Sequence, residues 1–177
     1  LQLQHKGEVD MLEETYLKII SAKTAELFAA ATKVGAILSD MQSKEKEALE
    51  FYGKNLGLTF QIADDTLDYN SELKLFGKKI GQDFYEGKIT LPIILLFQRT
   101  KDQEKEKLKE IFLKDERNEN DLNYILSLIK KYDVIKACYQ KAQHYINLAS
   151  NSLSVFKDCE EKTILENLTS FSLARNF

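Results

Sequence analysis

Three carboxylates and one amide recur with helical spacing in residues 60–69 of the sequence. The four residues are Gln61, Asp64, Asp65 and Asp68. Offsets of i, i+3, i+4 and i+7 would confine them to one helix face about 100° wide, where like charges repel, the more so if apolar neighbours bury the face. A divalent cation removes that conflict, and oxygen ligands without a nearby histidine or cysteine suit Mg²⁺. The segment therefore predicts a magnesium site, with a solvated acidic face as the alternative.

Glycines and lysines follow the acidic segment. Residues 71–88 hold three of the seven glycines of the chain and four lysines. Because Mg²⁺ in proteins usually keeps waters and is completed by substrate phosphates, Lys78 and Lys88 are candidates to bind a phosphate held by the metal. Residues 81–88 do not form a P-loop, because five residues separate their glycines where four are required. The sequence therefore indicates a ligand that carries phosphate, but not a nucleotide bound by a P-loop.

The elements that must position these residues are helices. One proline and seven glycines in 177 residues are too few for the many turns of a sandwich or barrel. Apolar periodicity predicts helices over about 12–38, 43–69, 92–97, 102–114, 120–131, 134–156 and 160–173. Residues 71–88 are predicted to be a loop. The length favours a single all-α domain over residues 1–177.

Charge and composition exclude several classes of protein. The chain has 25 Lys and Arg against 28 Asp and Glu, a net charge of −3, and no basic stripe for nucleic acid or an anionic membrane. Its longest apolar run, residues 89–97, is about half of what a membrane-spanning helix needs. Cys138 and Cys159 lack a CxxC motif, which favours a reducing compartment. We expect a cytoplasmic protein that neither binds nucleic acid nor spans a membrane.

Four ordered blocks of the sequence resemble the trans-type isoprenyl diphosphate synthases, also called polyprenyl synthetases. In chain order they are residues 16–28 with Lys23-Thr24, residues 60–69 with the pattern FQxxDDxLD, the glycine- and lysine-bearing residues 77–92, and Leu168, Phe171 and Arg175. Gln2 is a shorter match, similar to the glutamine that ends the family's preceding segment. Without this resemblance, Lys23 would be typical of a surface lysine whose stem lies along an apolar helix face.

The resemblance implies an isoprenoid-synthase-like helical bundle around a central cavity, with Mg²⁺-bound diphosphates at its mouth. The implied metal ligands are Asp64, Asp65 and Asp68, and the implied catalytic residues are Asp64, Asp65 and Lys23. The implied substrate-binding residues are Lys23, Thr24, Gln61, Lys78 and Lys88. The implied enzyme is a homodimeric transferase that condenses isopentenyl diphosphate with an allylic prenyl diphosphate, by Mg²⁺-assisted ionisation, to give an all-trans polyprenyl diphosphate.

The sequence departs from the family pattern in one respect. Family members carry a first aspartate-rich motif and a basic isopentenyl diphosphate site in their N-terminal half, and the 177 residues contain neither. We therefore expect the chain to be the C-terminal half of a synthase and to be poorly active alone. The alternatives are a non-catalytic partner subunit of a heteromeric synthase, and a helical binding module whose charges are coincidental.

Overall fold

The computed structural model describes residues 13–70 and 80–174, and these ranges are helical without any strand. Their α-helices are α1 (Glu13–Ile20), α2 (Glu26–Leu38), α3 (Ser43–Leu67), α4 (Gln82–Tyr85), α5 (Leu91–Arg99), α6 (Asp102–Leu113), α7 (Glu119–Lys131), α8 (Val134–Ser152) and α9 (Glu160–Ala174). A π-helical turn, Ser21–Ala25, joins α1 to α2, and a 3₁₀ turn, Leu153–Val155, follows α8. The predicted all-α fold is confirmed.

Two local features differ from the sequence prediction. The helix expected over residues 12–38 contains the π-helical turn, which apolar periodicity did not indicate because one widened turn leaves the stripe continuous. The loop expected over residues 71–88 contains α4, whose four residues are too few to show helical periodicity. None of the helices in the described part of the chain has the length and hydropathy of a membrane span.

The described residues form two compact units, each built from separate stretches of sequence. Residues 13–16, 64–70 and 80–138 make up the first unit, and residues 17–63 and 139–174 make up the second. Neither unit is one continuous stretch of chain. The expectation of a single domain over residues 1–177 stays a prediction.

The core of the first unit is built around α5. Every residue from Leu91 to Phe97 is buried, as expected for a helix that other elements surround on all sides. Pro92 lies in the first turn of α5, where a missing backbone N–H costs little. Phe84 of α4 packs edge-on against Phe112 of α6, with ring centroids 5.7 Å apart. The short α4 is thus fixed to the core by a fully buried aromatic ring.

In the second unit, two glycines of α3 allow close approach to the preceding helical segments. A Cβ atom added to Gly57 would lie 2.6 Å from the Cα atom of Ala25, and one added to Gly53 would lie 2.5 Å from the carbonyl oxygen of Phe28. Both distances are shorter than any real contact of a Cβ atom. The conformational entropy that glycine loses inside a helix is therefore offset by backbone packing that no larger residue permits.

Gly57→Ala should lower the free energy of unfolding by about 1–3 kcal/mol, because the added methyl group overpacks a backbone contact. The matched control is Gly35→Ala in α2, where the added methyl group meets nothing within 4 Å. That control should raise the free energy of unfolding by up to about 1 kcal/mol through helix propensity. Urea denaturation measures both changes, and equal effects of the two substitutions would contradict the packing described here.

Candidate functional site

The three aspartates of residues 60–69 lie in different environments at the C-terminal end of α3. Asp64 is exposed and Asp65 is buried, while Asp68 is half-buried one residue beyond the helix. The C-terminus of a helix carries the negative end of its dipole, which disfavours carboxylates. The site therefore needs hydrogen-bond donors or cations to offset its negative charge.

Asp65 is held by a tyrosine from α1. The hydroxyl of Tyr16 donates a hydrogen bond to Asp65 Oδ2, with 2.7 Å between the oxygens, and both side chains are buried. Burial raises the pKa of Tyr16 well above its ordinary value, and the charge and hydrogen bond of Asp65 raise it further. Tyr16 therefore remains a protonated donor at neutral pH.

Asp68 anchors the start of α4. Its Oδ1 accepts the backbone N–H of Gln82 at 3.0 Å and its Oδ2 accepts that of Asp83 at 2.8 Å. Its main-chain oxygen accepts the N–H of Gly81, whose φ of 81° is left-handed. Burial raises the pKa of Asp68, and these two side-chain hydrogen bonds act in the opposite direction. The aspartate thus satisfies backbone donors that the first turn of a helix leaves without partners.

Lys88 pairs with two carboxylates of the same segment. Its Nζ lies 2.9 Å from Asp83 Oδ1 and 2.7 Å from Glu86 Oε2. Burial lowers the pKa of Lys88, but the hydrogen bonds and charges of Glu86 and Asp83 outweigh burial and raise it above its ordinary value. Lys88 is therefore fully charged, and a phosphate group would have to compete with two carboxylates for it.

In the second unit, the Lys-Thr pair lies in the π-helical turn Ser21–Ala25. Thr24 Oγ1 donates a hydrogen bond to Oε1 of the buried Gln61 at 2.7 Å, which fixes the orientation of the glutamine amide. Lys23, one residue earlier, is exposed. Turns of π-helix are rare and occur frequently at functional sites. The turn directs the Thr24 side chain toward α3 and leaves the adjacent Lys23 side chain exposed to solvent.

The predicted site residues are thus found in both units. Asp64, Asp65, Asp68 and Lys88 belong to the first unit, and Lys23, Thr24 and Gln61 belong to the second. Lys78, Gln2 and Arg175 lie outside the described residues, whereas Leu168 and Phe171 are exposed on α9. In residues 13–70 and 80–174, no three His, Cys, Asp or Glu side chains are grouped so that they could hold a metal by themselves. The three-aspartate ligand set stays a prediction.

Sequence reasoning missed two partners of the acidic segment. Tyr16 occupies an apolar-periodic position of the helix predicted over residues 12–38, and this pattern does not indicate that its hydroxyl reaches an aspartate 49 residues away. The backbone N–H groups of α4 carry no side-chain signature at all. A glycine before Gln82-Asp83, at a position that needs positive φ, is the one local signal that could have indicated α4.

Comparisons with known proteins indicate the family to which the chain belongs. Residues 1–129 match the family model described as polyprenyl synthetase. A short chain isoprenyl diphosphate synthase of Methanothermobacter thermautotrophicus is 33% identical over 99% of this chain and 53% of its own.

Two solved structures share the fold. A decaprenyl diphosphate synthase from Rhodobacter capsulatus has a TM-score of 0.92 and 32% identity over 99% of this chain and 54% of its own. A polyprenyl synthase from Caulobacter crescentus, complexed with calcium and isoprenyl diphosphate, has a TM-score of 0.92 and 38% identity over the same shares. The chain spans about half the length of these relatives. The matched family model and the shared helical fold show that this chain belongs to the polyprenyl synthetase family.

Proposed function

We propose that this chain is the C-terminal half of a trans-polyprenyl diphosphate synthase, a transferase that lengthens an allylic prenyl diphosphate by one isopentenyl unit at a time. The observation that carries the proposal is the end of α3, where an exposed Asp64 adjoins an Asp65 that is buried and hydrogen-bonded. In a chain of the polyprenyl synthetase family, these adjacent carboxylates suit a metal-bound diphosphate.

The carboxylates at this position fit Mg²⁺ in the manner usual for substrate-phosphate sites. There the ion takes one or two protein carboxylates and completes its coordination with waters and phosphate oxygens. Asp64 and Asp65 would supply the carboxylates. Asp68, the third ligand in our prediction, already accepts one N–H on each oxygen, so a metal would have to use the remaining lone pairs. When bound, the ion stabilises the diphosphate leaving group as a Lewis acid.

The basic and amide side chains would bind and orient the diphosphate. Lys23 is exposed in the π-helical turn, and Thr24 holds the Gln61 amide in one orientation. Lys78 and Lys88 are the other lysines that we expect to add positive charge. Positive groups placed where negative charge develops stabilise the departing diphosphate, which is how we expect these lysines to assist ionisation of the allylic bond.

An exposed apolar stripe on α2 supports the hydrocarbon part of the proposal. Leu27, Val34 and Leu38 are between 51% and 81% exposed and lie on one side of the helix together with the exposed Ala31. The stripe is about 16 Å long at the rise of an α-helix. It begins four residues after Lys23, so a prenyl chain whose diphosphate is held there could lie along α2. An apolar wall also keeps water from the allylic cation.

We further propose that the synthase is a cytoplasmic homodimer. The dimer is inferred from the family resemblance, and the compartment from cysteine usage, since Cys138 and Cys159 are both free thiols. The remaining alternative is a non-catalytic partner subunit. Activity of the purified complete protein without a second gene product would exclude that alternative, and light scattering would give the oligomeric state.

Asp64→Ala should lower the rate of chain elongation by the complete synthase about 100-fold or more, because it removes a ligand that stabilises charge in the transition state. Product formation from isopentenyl diphosphate, an allylic diphosphate and Mg²⁺ measures this loss. Asp115→Ala, a change of the same kind at an exposed position between α6 and α7, is the control and should retain full activity. Full activity of Asp64→Ala would overturn the proposed function.

Lys23→Met should raise the KM for the allylic diphosphate about ten- to hundredfold, since a hydrogen bond to a charged group contributes about 1.5–3 kcal/mol. Methionine keeps an unbranched apolar stem and removes the ammonium group alone. Lys44→Met, at an exposed position in the first turn of α3, is the matched control and should leave KM unchanged. Equal KM values for both variants would remove Lys23 from the diphosphate site.

A further inference from the structure

We propose that Tyr16 is a positioning residue that holds Asp65 in the orientation needed to bind the metal–diphosphate complex. This inference rests on the proposed function and assigns a role to a residue outside the predicted site. It follows from the hydrogen bond between the Tyr16 hydroxyl and Asp65 Oδ2.

The geometry gives Tyr16 little freedom. Tyr16 is 2% exposed and Asp65 is 6% exposed, so both side chains are buried, and both residues belong to the first unit. A tyrosine ring buried in a core fixes the position of its hydroxyl, because the side chain has only two rotatable bonds before the ring. The hydroxyl oxygen lies 2.7 Å from Asp65 Oδ2 and donates its hydrogen bond to that oxygen. This hydrogen bond therefore restrains the position of Asp65 Oδ2.

Asp65 depends on such a donor for two reasons. A carboxylate that leaves water needs hydrogen bonds to remain charged, and Asp65 is buried. It also lies in the last turn of α3, where the helix dipole opposes negative charge. Groups that hydrogen-bond to a metal ligand orient it, and their loss typically weakens metal binding about 10- to 100-fold. We expect the same effect here.

The competing interpretation is that Tyr16 only stabilises the fold. Tyr52 provides a matched control that separates the two interpretations. Tyr52 is also buried, and its hydroxyl donates a hydrogen bond to the main-chain oxygen of Leu165 at 2.8 Å. That contact lies within the second unit and involves no carboxylate. Tyr16→Phe and Tyr52→Phe each remove one buried hydroxyl and its hydrogen bond. Only the first removes a donor to an aspartate of the acidic segment.

The test is calorimetric titration of Mg²⁺ into the complete synthase in the presence of inorganic diphosphate, with urea denaturation of each variant. Tyr16→Phe should raise the apparent Kd for Mg²⁺ about 10- to 100-fold. Tyr52→Phe should lower the denaturation midpoint and leave that Kd unchanged. An unchanged Kd for Tyr16→Phe, with wild-type binding intact, would overturn the positioning role and leave the proposed function standing. Absence of Mg²⁺ binding by the wild type would overturn both.

A double-mutant cycle provides a second measurement. If Tyr16 acts through Asp65, adding Tyr16→Phe to Asp65→Asn should weaken Mg²⁺ binding no further than Asp65→Asn alone. Additive losses in Mg²⁺ affinity would show that the two residues act separately and would also overturn the inference. Circular dichroism of each variant confirms that the compared proteins are folded.

Discussion

The accumulation of negative charge at the C-terminal end of α3 is the constraint on which the rest of the first unit depends. Asp64, Asp65 and Asp68 occupy the negative end of a 25-residue helix. The three carboxylates have different environments. Tyr16 donates a hydrogen bond to Asp65, and backbone N–H groups donate to Asp68, while Asp64 is exposed. Hydrogen bonds thereby hold Asp65 and Asp68, while the Asp64 side chain is exposed at the surface.

The negative charge at the end of α3 also helps to hold the segment that follows residues 71–79. Asp68 holds the start of α4 through its side chain and its main-chain oxygen. Asp83, in the first turn of α4, pairs with Lys88. A chain of polar contacts therefore runs from an aspartate of the acidic segment to the lysine that was predicted to bind phosphate. Asp83 links the two residues, because its backbone N–H donates to Asp68 and its carboxylate pairs with Lys88.

In the second unit, an exposed polar side chain lies beside one that is half-buried and hydrogen-bonded. The π-helical turn directs Thr24 to Gln61 while Lys23 remains exposed. Close packing of Gly57 against Ala25 holds this turn against α3. The exposed apolar stripe of α2 begins four residues after Lys23, so an exposed charged side chain and an exposed apolar surface follow each other along one helical segment.

The sequence by itself determined the helical class, most helix positions and the acidic spacing of Asp64, Asp65 and Asp68, because these follow from local periodicity and composition. Only the tertiary structure decided what each aspartate does, since Tyr16 lies 49 residues from its partner and α4 contributes backbone groups that leave no mark on side-chain patterns. It likewise gave Lys88 two carboxylate partners that lysine spacing could not reveal. Hydrogen bonds between distant segments depend on how the chain packs, and no repeat along the sequence encodes them.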